Sequence, residues 1–281
     1  MMDKQPIEKI WLEKFPIFCL NGIDNKRFLN GITTSNMNSP VSNILQTCLL
    51  NPKGFLRSLL EIHYIENQLL VIVLEGNVKD IRKQFEDIIF PADKVEISDI
   101  TYIFRIQKVN NLYSWRENNP ILLSTNECDE YISKNTLSVL STNELKIWKI
   151  EQAIPTFNFE IDGTNNPLEL GLTDLIDFNK GCFLGQELMA RLKNLSTLKQ
   201  EIRVWTSENF FNNLNLKNEK IYFDNDQETI VGRITSFAQI NEKKFIGLAL
   251  VKKNYLDENN NFFSQQFGNL KLNRSISSTF L

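Results

Sequence analysis

Lys180-Gly181-Cys182-Phe183-Leu184-Gly185-Gln186-Glu187 is the stretch on which the reading of this chain turns. Beyond it, apolar residues at 188, 189, 192 and 195 keep the spacing of an amphipathic helix. Gln186–Leu195 is therefore predicted helical, and Cys182 falls in the loop that leads into it. Unpaired amides and the positive dipole end at a helix start favour an anion. Lys180 is two residues away, and the glycines at 181 and 185 let the backbone approach a ligand closely. A thiolate so placed is a nucleophile or a metal ligand, which a buried apolar cysteine is not. The competing reading is a glycine turn whose small cysteine fills space, and the octet alone does not separate the two.

Upstream, Ser141-Thr142-Asn143-Glu144 has capping-box spacing and opens a predicted helix to about Ile154, where Pro155 stops it. Ile147, Ile150 and Ile154 form its core stripe, while Leu145, Trp148 and Glu151 share a neighbouring face. Trp148 and Glu151 read either as a platform for a flat, amide-bearing heterocycle or as a half-buried indole beside a solvated carboxylate. Residues 155–179 are rich in turn signals. Nearer the N-terminus, residues 16–22 read as a strand, and Asp24 as the cap of a helix to about Thr33. Asn51-Pro52-Lys53-Gly54 is a turn, followed by an antiparallel hairpin of Phe55–Ile65 and Leu69–Leu74. Residues 77–89 have helical spacing, and Val95–Val109 is strand-like. This order of elements, with hairpins and no strict βαβ repeat, gives an α+β domain.

Downstream the pattern changes. Ile202–Thr206, Lys220–Phe223, Ile230–Phe237 and Phe245–Val251 are short strands between polar turns, which predicts a small β-barrel or sandwich. The boundary is placed near Asn194–Lys199, giving units of 1–196 and 197–281. The polar run Asp257–Asn261 reads as loop.

With 281 residues, 42% hydrophobic and 23% charged, the chain is globular in composition. A net charge of -3 argues against a dedicated nucleic-acid binder. Cysteines at 19, 48, 128 and 182 make no C-x-x-C, so no metal site is assigned to the chain itself. Unpaired spacing suits a reducing compartment. His63, the single histidine, lies in a strand-like run and reads as structural. Met1–Pro6 lacks an apolar segment, and no run approaches the roughly 20 residues that span a bilayer, so a cytoplasmic protein is expected.

The octet, followed by Ala190-Arg191, resembles the signature of the YgfZ family, Lys-Gly-Cys-Tyr-x-Gly-Gln-Glu-x-x-Ala-Arg, with Phe183 in place of tyrosine. Other segments are similar in the same order: Asn21-Gly22-Ile23-Asp24 with Phe28–Thr33, Pro52-Lys53-Gly54, Ile150–Pro155 and Val231–Ser236. Asn30 and Ile32 depart from the family pattern, as does Ala153, which stands where the family has glycine. The resemblance implies the fold of the aminomethyltransferase (T-protein) of the glycine cleavage system: a folate-binding α+β domain and a C-terminal β-barrel. It also implies tetrahydrofolate as ligand and a role in assembling or repairing 4Fe–4S clusters. Iron–sulfur assembly proteins and client enzymes would be the partners, with Cys182 the residue needed for activity. By the same resemblance Glu151 matches the glutamate that hydrogen-bonds the pterin ring, a task suited to a carboxylate because it accepts two parallel N–H bonds. Lys180, Gly181, Gly185, Gln186 and Glu187 are assigned to the same site. Trp148 as a stacking partner follows from spacing alone. Arg191 reads either as a contact for the glutamyl tail or as a surface helix arginine. A maturation factor fits this picture better than a conventional enzyme. The alternatives are a tetrahydrofolate-dependent aminomethyltransferase or a tRNA-modification factor.

Overall fold

The structure, a computed structural model, describes residues 8–38, 43–109, 115–116, 119–195, 198–210, 219–223, 228–256 and 261–273. The readings of Met1–Pro6 and of most of the run at 257–261 lie outside the described residues, as do residues 196–197 at the expected boundary.

The first sheet has eight strands. β1 (Lys9–Asn21), β2 (Ile44–Leu50), β3 (Leu56–Ile65), β4 (Gln68–Glu75), β6 (Thr101–Lys108) and β7 (Ile121–Leu123) run in the spatial order β2-β3-β4-β1-β6-β7. Two short strands, β5 (Glu96–Ile97) and β8 (Ser138–Val139), also pair with β1. β3 and β4 form the predicted hairpin around Glu66-Asn67, with Glu66 in the left-handed region at φ 48. Period-two alternation assigns the two faces of the sheet. Phe18, Leu20, Leu60, Ile62, Val71 and Val73 face α1 (Asn25–Ile32) and α2 (Val78–Ile88). The residues between them, among them Trp11, Phe15, Leu59, Leu70 and Ile72, face the other way.

α3 (Thr125–Asn135) and α4 (Thr142–Glu151) both begin with complete capping boxes. α4 ends before the proline expected to stop it. Ile154 N–H donates to Lys149 O and Ala153 N–H to Ile150 O, each at 2.9 Å, and Ala153 takes φ 50. This is a Schellman closure, in which the left-handed residue is ordinarily glycine. The departure at Ala153 thus places a Cβ at a backbone conformation that disfavours one. Ala153→Gly is expected to raise stability by about 1 kcal/mol, read as a shift in urea midpoint at constant slope. α1 differs from expectation: Asp24 makes no side-chain cap and instead accepts from Lys94 N–H and Arg27.

After α5 (Gln186–Leu195) comes a closed barrel. β9 (Gln200–Ser207), β10 (Lys220–Phe223), β11 (Ile230–Gln239), β12 (Phe245–Lys252), β13 (Phe262–Ser264) and β14 (Gly268–Asn273) close in the order β10-β11-β12-β9-β14-β13. Alternation again sorts the side chains. Trp205, Phe245, Ala249 and Val251 fill the barrel, whereas Ile202, Val204, Ile246, Leu248 and Leu250 join the core beneath the first sheet. α4 and residues 154–176 complete that core.

A fully buried carboxylate ties the segment after α4 to the barrel. Glu160 accepts from the Thr156 N–H and hydroxyl at 3.0 Å each, and from the hydroxyls of Thr235 and Ser236 on β11. With four donors, its charge is satisfied despite full burial. Thr235 and Ser236 therefore act here as structural anchors.

Candidate functional site

Three stretches singled out in the sequence meet at one place. The loop before α5 is stitched to the end of α1: Asp177 N–H donates to Thr34 O at 2.9 Å, and Leu184 N–H to Gly31 O at 3.0 Å. The hydroxyls of Thr34 and Ser35 both donate to Leu175 O. The Pro52-Lys53-Gly54 turn closes the third side. A Cβ on Gly185 would lie 2.8 Å from Asn51 O and 2.9 Å from the Gly54 Cα. Gly185 also has φ +80, so both space and backbone conformation require glycine here.

Cys182 stands exposed on this junction, between exposed Gly181 and buried Phe183. The other three cysteines differ. Cys48 and Cys128 are buried and Cys19 is half-buried. Burial pushes the Cys48 thiol up to about 12, and raises Cys19 and Cys128 as well. Those three are held as neutral thiols, which are poor nucleophiles.

Lys180 is placed differently from expectation. Its Nζ donates to the carbonyls of Asn30, Thr33 and Ser35 at 2.5, 2.6 and 2.8 Å, and lies 5.5 Å from the Phe183 ring centroid. All three ammonium donors are thereby used on the C-terminal end of α1, where a cation also complements the helix dipole. Lys180 fixes the loop and does not serve as a counter-ion aimed at the thiol. Burial pulls its ammonium down to about 7. Three acceptors with no donor among them oppose this, because only the charged form can donate to all of them.

The remaining predicted residues fall into two groups. Gln186 Oε1 accepts from Phe183 N–H at 3.3 Å and belongs to the loop, while Glu187 and Arg191 pair at 3.3 Å on the exposed face of α5. Trp148 is not an exposed platform: it is 6% accessible and packs with its ring centroid 5.2 Å from that of Trp11. Glu151, one turn further along α4, is exposed, and desolvation raises its carboxyl above the ordinary value. A surface groove lined by Arg57, Asn77, Asp80, Phe157 and Asp162 contains none of these residues.

A second polar cluster is marked by no motif in the sequence. On the inner face of the first sheet, Arg105 Nε and Nη2 donate to the two oxygens of Glu61 at 3.0 and 2.8 Å. His63 Nε2 lies 2.8 Å from Glu61 Oε1, and Gln46 donates to Oε2 at 3.1 Å. Glu61 and Arg105 are fully buried. β3 and β6 are separated in the sheet by β4 and β1, about 14 Å in a flat sheet, so the bridge forms only because the sheet curls. The available signal was period two: Glu61 with His63, and Arg105 with Gln107, each put two polar side chains on one face of an apolar strand.

Among the described residues no group of three or more His, Cys, Asp or Glu side chains is placed to hold a metal, and no helix is long and apolar enough to cross a membrane.

The chain matches no family model. It is 25% identical over 237 residues to the putative transferase At1g60990, chloroplastic, of Arabidopsis thaliana, covering 68% of this chain and 54% of that protein. The chain thus spans about half the length of that curated relative. In structure it is similar to the glycine cleavage system aminomethyltransferase T from Bartonella henselae, with a TM-score of 0.77 at 10% identity over 97% of this chain and 86% of the other. The fold is therefore that of the aminomethyltransferases: a mixed α+β domain followed by a closed barrel.

Proposed function

We propose that this chain binds a tetrahydrofolate and acts, through the thiol of Cys182, in assembling or repairing iron–sulfur clusters in client enzymes. The observation that carries this reading is the junction itself. Residues 28–35, 52–54 and 180–187, far apart in sequence, are joined by hydrogen bonds and close backbone approach around the exposed Cys182. A loop that merely filled space would leave its cysteine inside, as Cys48 is. Support for folate comes from the aminomethyltransferase fold and from Glu151, whose raised carboxyl stands one turn from Trp148 on α4.

A second reading, tetrahydrofolate-dependent aminomethyl transfer, is the one the fold favours by itself. The exposed thiol distinguishes the two, because transfer of a one-carbon unit to folate has no evident use for it.

Titration with tetrahydrofolate is expected to quench tryptophan emission, since Trp11, Trp115 and Trp148 share the inner core. Glu151→Ala should weaken that binding about tenfold, consistent with loss of hydrogen bonds to a charged acceptor. Unchanged emission at saturating ligand would remove the folate half of the proposal.

A further inference from the structure

α1 buries one face and leaves the other uncovered. Asn25, Phe28, Leu29 and Ile32 are buried, whereas Lys26, Arg27 and Gly31 are exposed and Asn30 is half-buried. The uncovered residues share one side of the helix, a strip that runs about 12 Å from Ile23 to Gly31. Ile23, at its start, is 80% accessible. The turn that carries Phe90, 69% accessible, is clamped to the same end. Lys94 N–H donates to Asp24 at 3.0 Å, Arg27 donates to Asp24 and Asp93, and Phe90 N–H donates to Asp93 at 3.0 Å. Ile23 and Phe90 are the two most exposed large apolar side chains among the described residues.

The other end of the strip meets the Cys182 loop. Lys180 and Leu184, two residues to either side of Cys182, donate to Asn30 O at 2.5 Å and to Gly31 O at 3.0 Å. Gly31 itself has no use inside the fold. Its backbone is not left-handed, and a Cβ added there would meet no atom within 4 Å. Glycine inside a helix destabilises it relative to alanine. What glycine does allow is close approach from outside.

We infer that this strip is the docking surface of a partner protein that brings its reacting group to Cys182. The inference rests on the reading of Cys182 as the working residue. Ile23 and Phe90, held outward by clamped turns, are the apolar anchors of such an interface. Gly31 lets the partner's main chain pass close to the thiol. The free charge along the strip is positive. Asp24 and Asp93 are both engaged by Arg27, whereas neither the Lys26 nor the Lys94 ammonium has an ion-pair partner among the described residues. The partner's matching face therefore carries carboxylates around an apolar recess. An anionic membrane would also meet these lysines and apolar side chains. A flat lipid surface, however, gains nothing from a missing methyl group beside Cys182.

Three variants test the surface by recovery of a cluster-dependent enzyme in maturation-deficient cells, at equal protein level. The double change Ile23→Ser, Phe90→Ser and the single change Gly31→Leu should each lower recovery about tenfold. Lys26→Glu, whose new carboxylate suits the first turn of α1, should lower it about threefold. The purified variants should melt no lower than wild type, and iodoacetamide should alkylate their Cys182 at the wild-type rate. Wild-type recovery with any of the three overturns the docking surface and leaves the proposed function standing. Slowed alkylation in Gly31→Leu also overturns it, since the leucine would then be closing the thiol itself. The wild-type chain should not float with vesicles of phosphatidylglycerol and phosphatidylcholine. Flotation that the serine pair abolishes would assign the strip to a membrane and overturn the protein partner. No recovery with the wild-type chain overturns both the surface and the function.

Discussion

Arg105→Met is expected to lower stability by about 3–5 kcal/mol, the range for stranding one partner of a buried ion pair. The change leaves the Glu61 carboxylate fully buried with only His63 and Gln46 as partners. A second substitution, Glu61→Leu, on the same background should recover most of the loss, because replacing both partners by apolar groups removes the stranded charge. Solution pH gives an independent readout. Burial by itself pushes the Glu61 carboxyl upward, but the charges and hydrogen bonds of Arg105 and His63 outweigh it and hold the group down at about 2. A carboxyl lowered on folding contributes stability that is present above its unfolded value and lost as pH falls through the folded one. The wild-type chain should therefore lose on the order of 3 kcal/mol between pH 4.5 and pH 2 from this group, and the double variant should lose correspondingly less. Equal acid sensitivity in the two proteins would show that the bridge contributes little.

Lys180→Met should cost about 2–4 kcal/mol. Hydrogen bonds to a charged donor contribute roughly 1.5–3 kcal/mol each, and three are lost, partly offset by relief of the desolvated charge. Lys180→Arg should not restore the wild type, because a planar guanidinium cannot reproduce three bonds converging on one nitrogen. The loss should also be local. The amides of Asp177 and Leu184, bonded to Thr34 and Gly31, should lose hydrogen-exchange protection, while amides of β3 and β4 keep theirs. Uniform loss across the first sheet would mean that Lys180 supports the fold as a whole and not the Cys182 loop in particular.

How much of this was legible in the sequence depended on whether the cause was local. The spacing of apolar residues marks α2, α4 and α5, and alternation with a turn marks the β3–β4 hairpin. These are signals contained within about a dozen residues. Pro155 marks the end of α4 only approximately: the chain closes two residues earlier on Ala153, in a conformation its side chain disfavours. Local chemistry permits Asp24 as a cap, but Lys94 and Arg27, brought near by the fold, take its oxygens instead.

The site was legible as a set of fragments and not as an assembly. Nothing in the octet shows that Lys180 reaches Asn30, Thr33 and Ser35, nor that Gly185 lies against Gly54. The three-residue spacing of Trp148 and Glu151 along α4 does not say that Trp11 waits opposite to bury the indole while the carboxylate stays exposed. The Arg105–Glu61 bridge depends on the curl of the sheet, which no stretch of sequence displays.

What the whole account rests upon is that the sulfur held outward by this loop performs the protein's work. Introducing the wild-type chain and its Cys182→Ser variant into cells defective in iron–sulfur enzyme maturation, then assaying a cluster-dependent enzyme, tests that most directly. The account predicts recovery with the wild-type chain and none with the serine variant at equal protein level; equal recovery with both would contradict it.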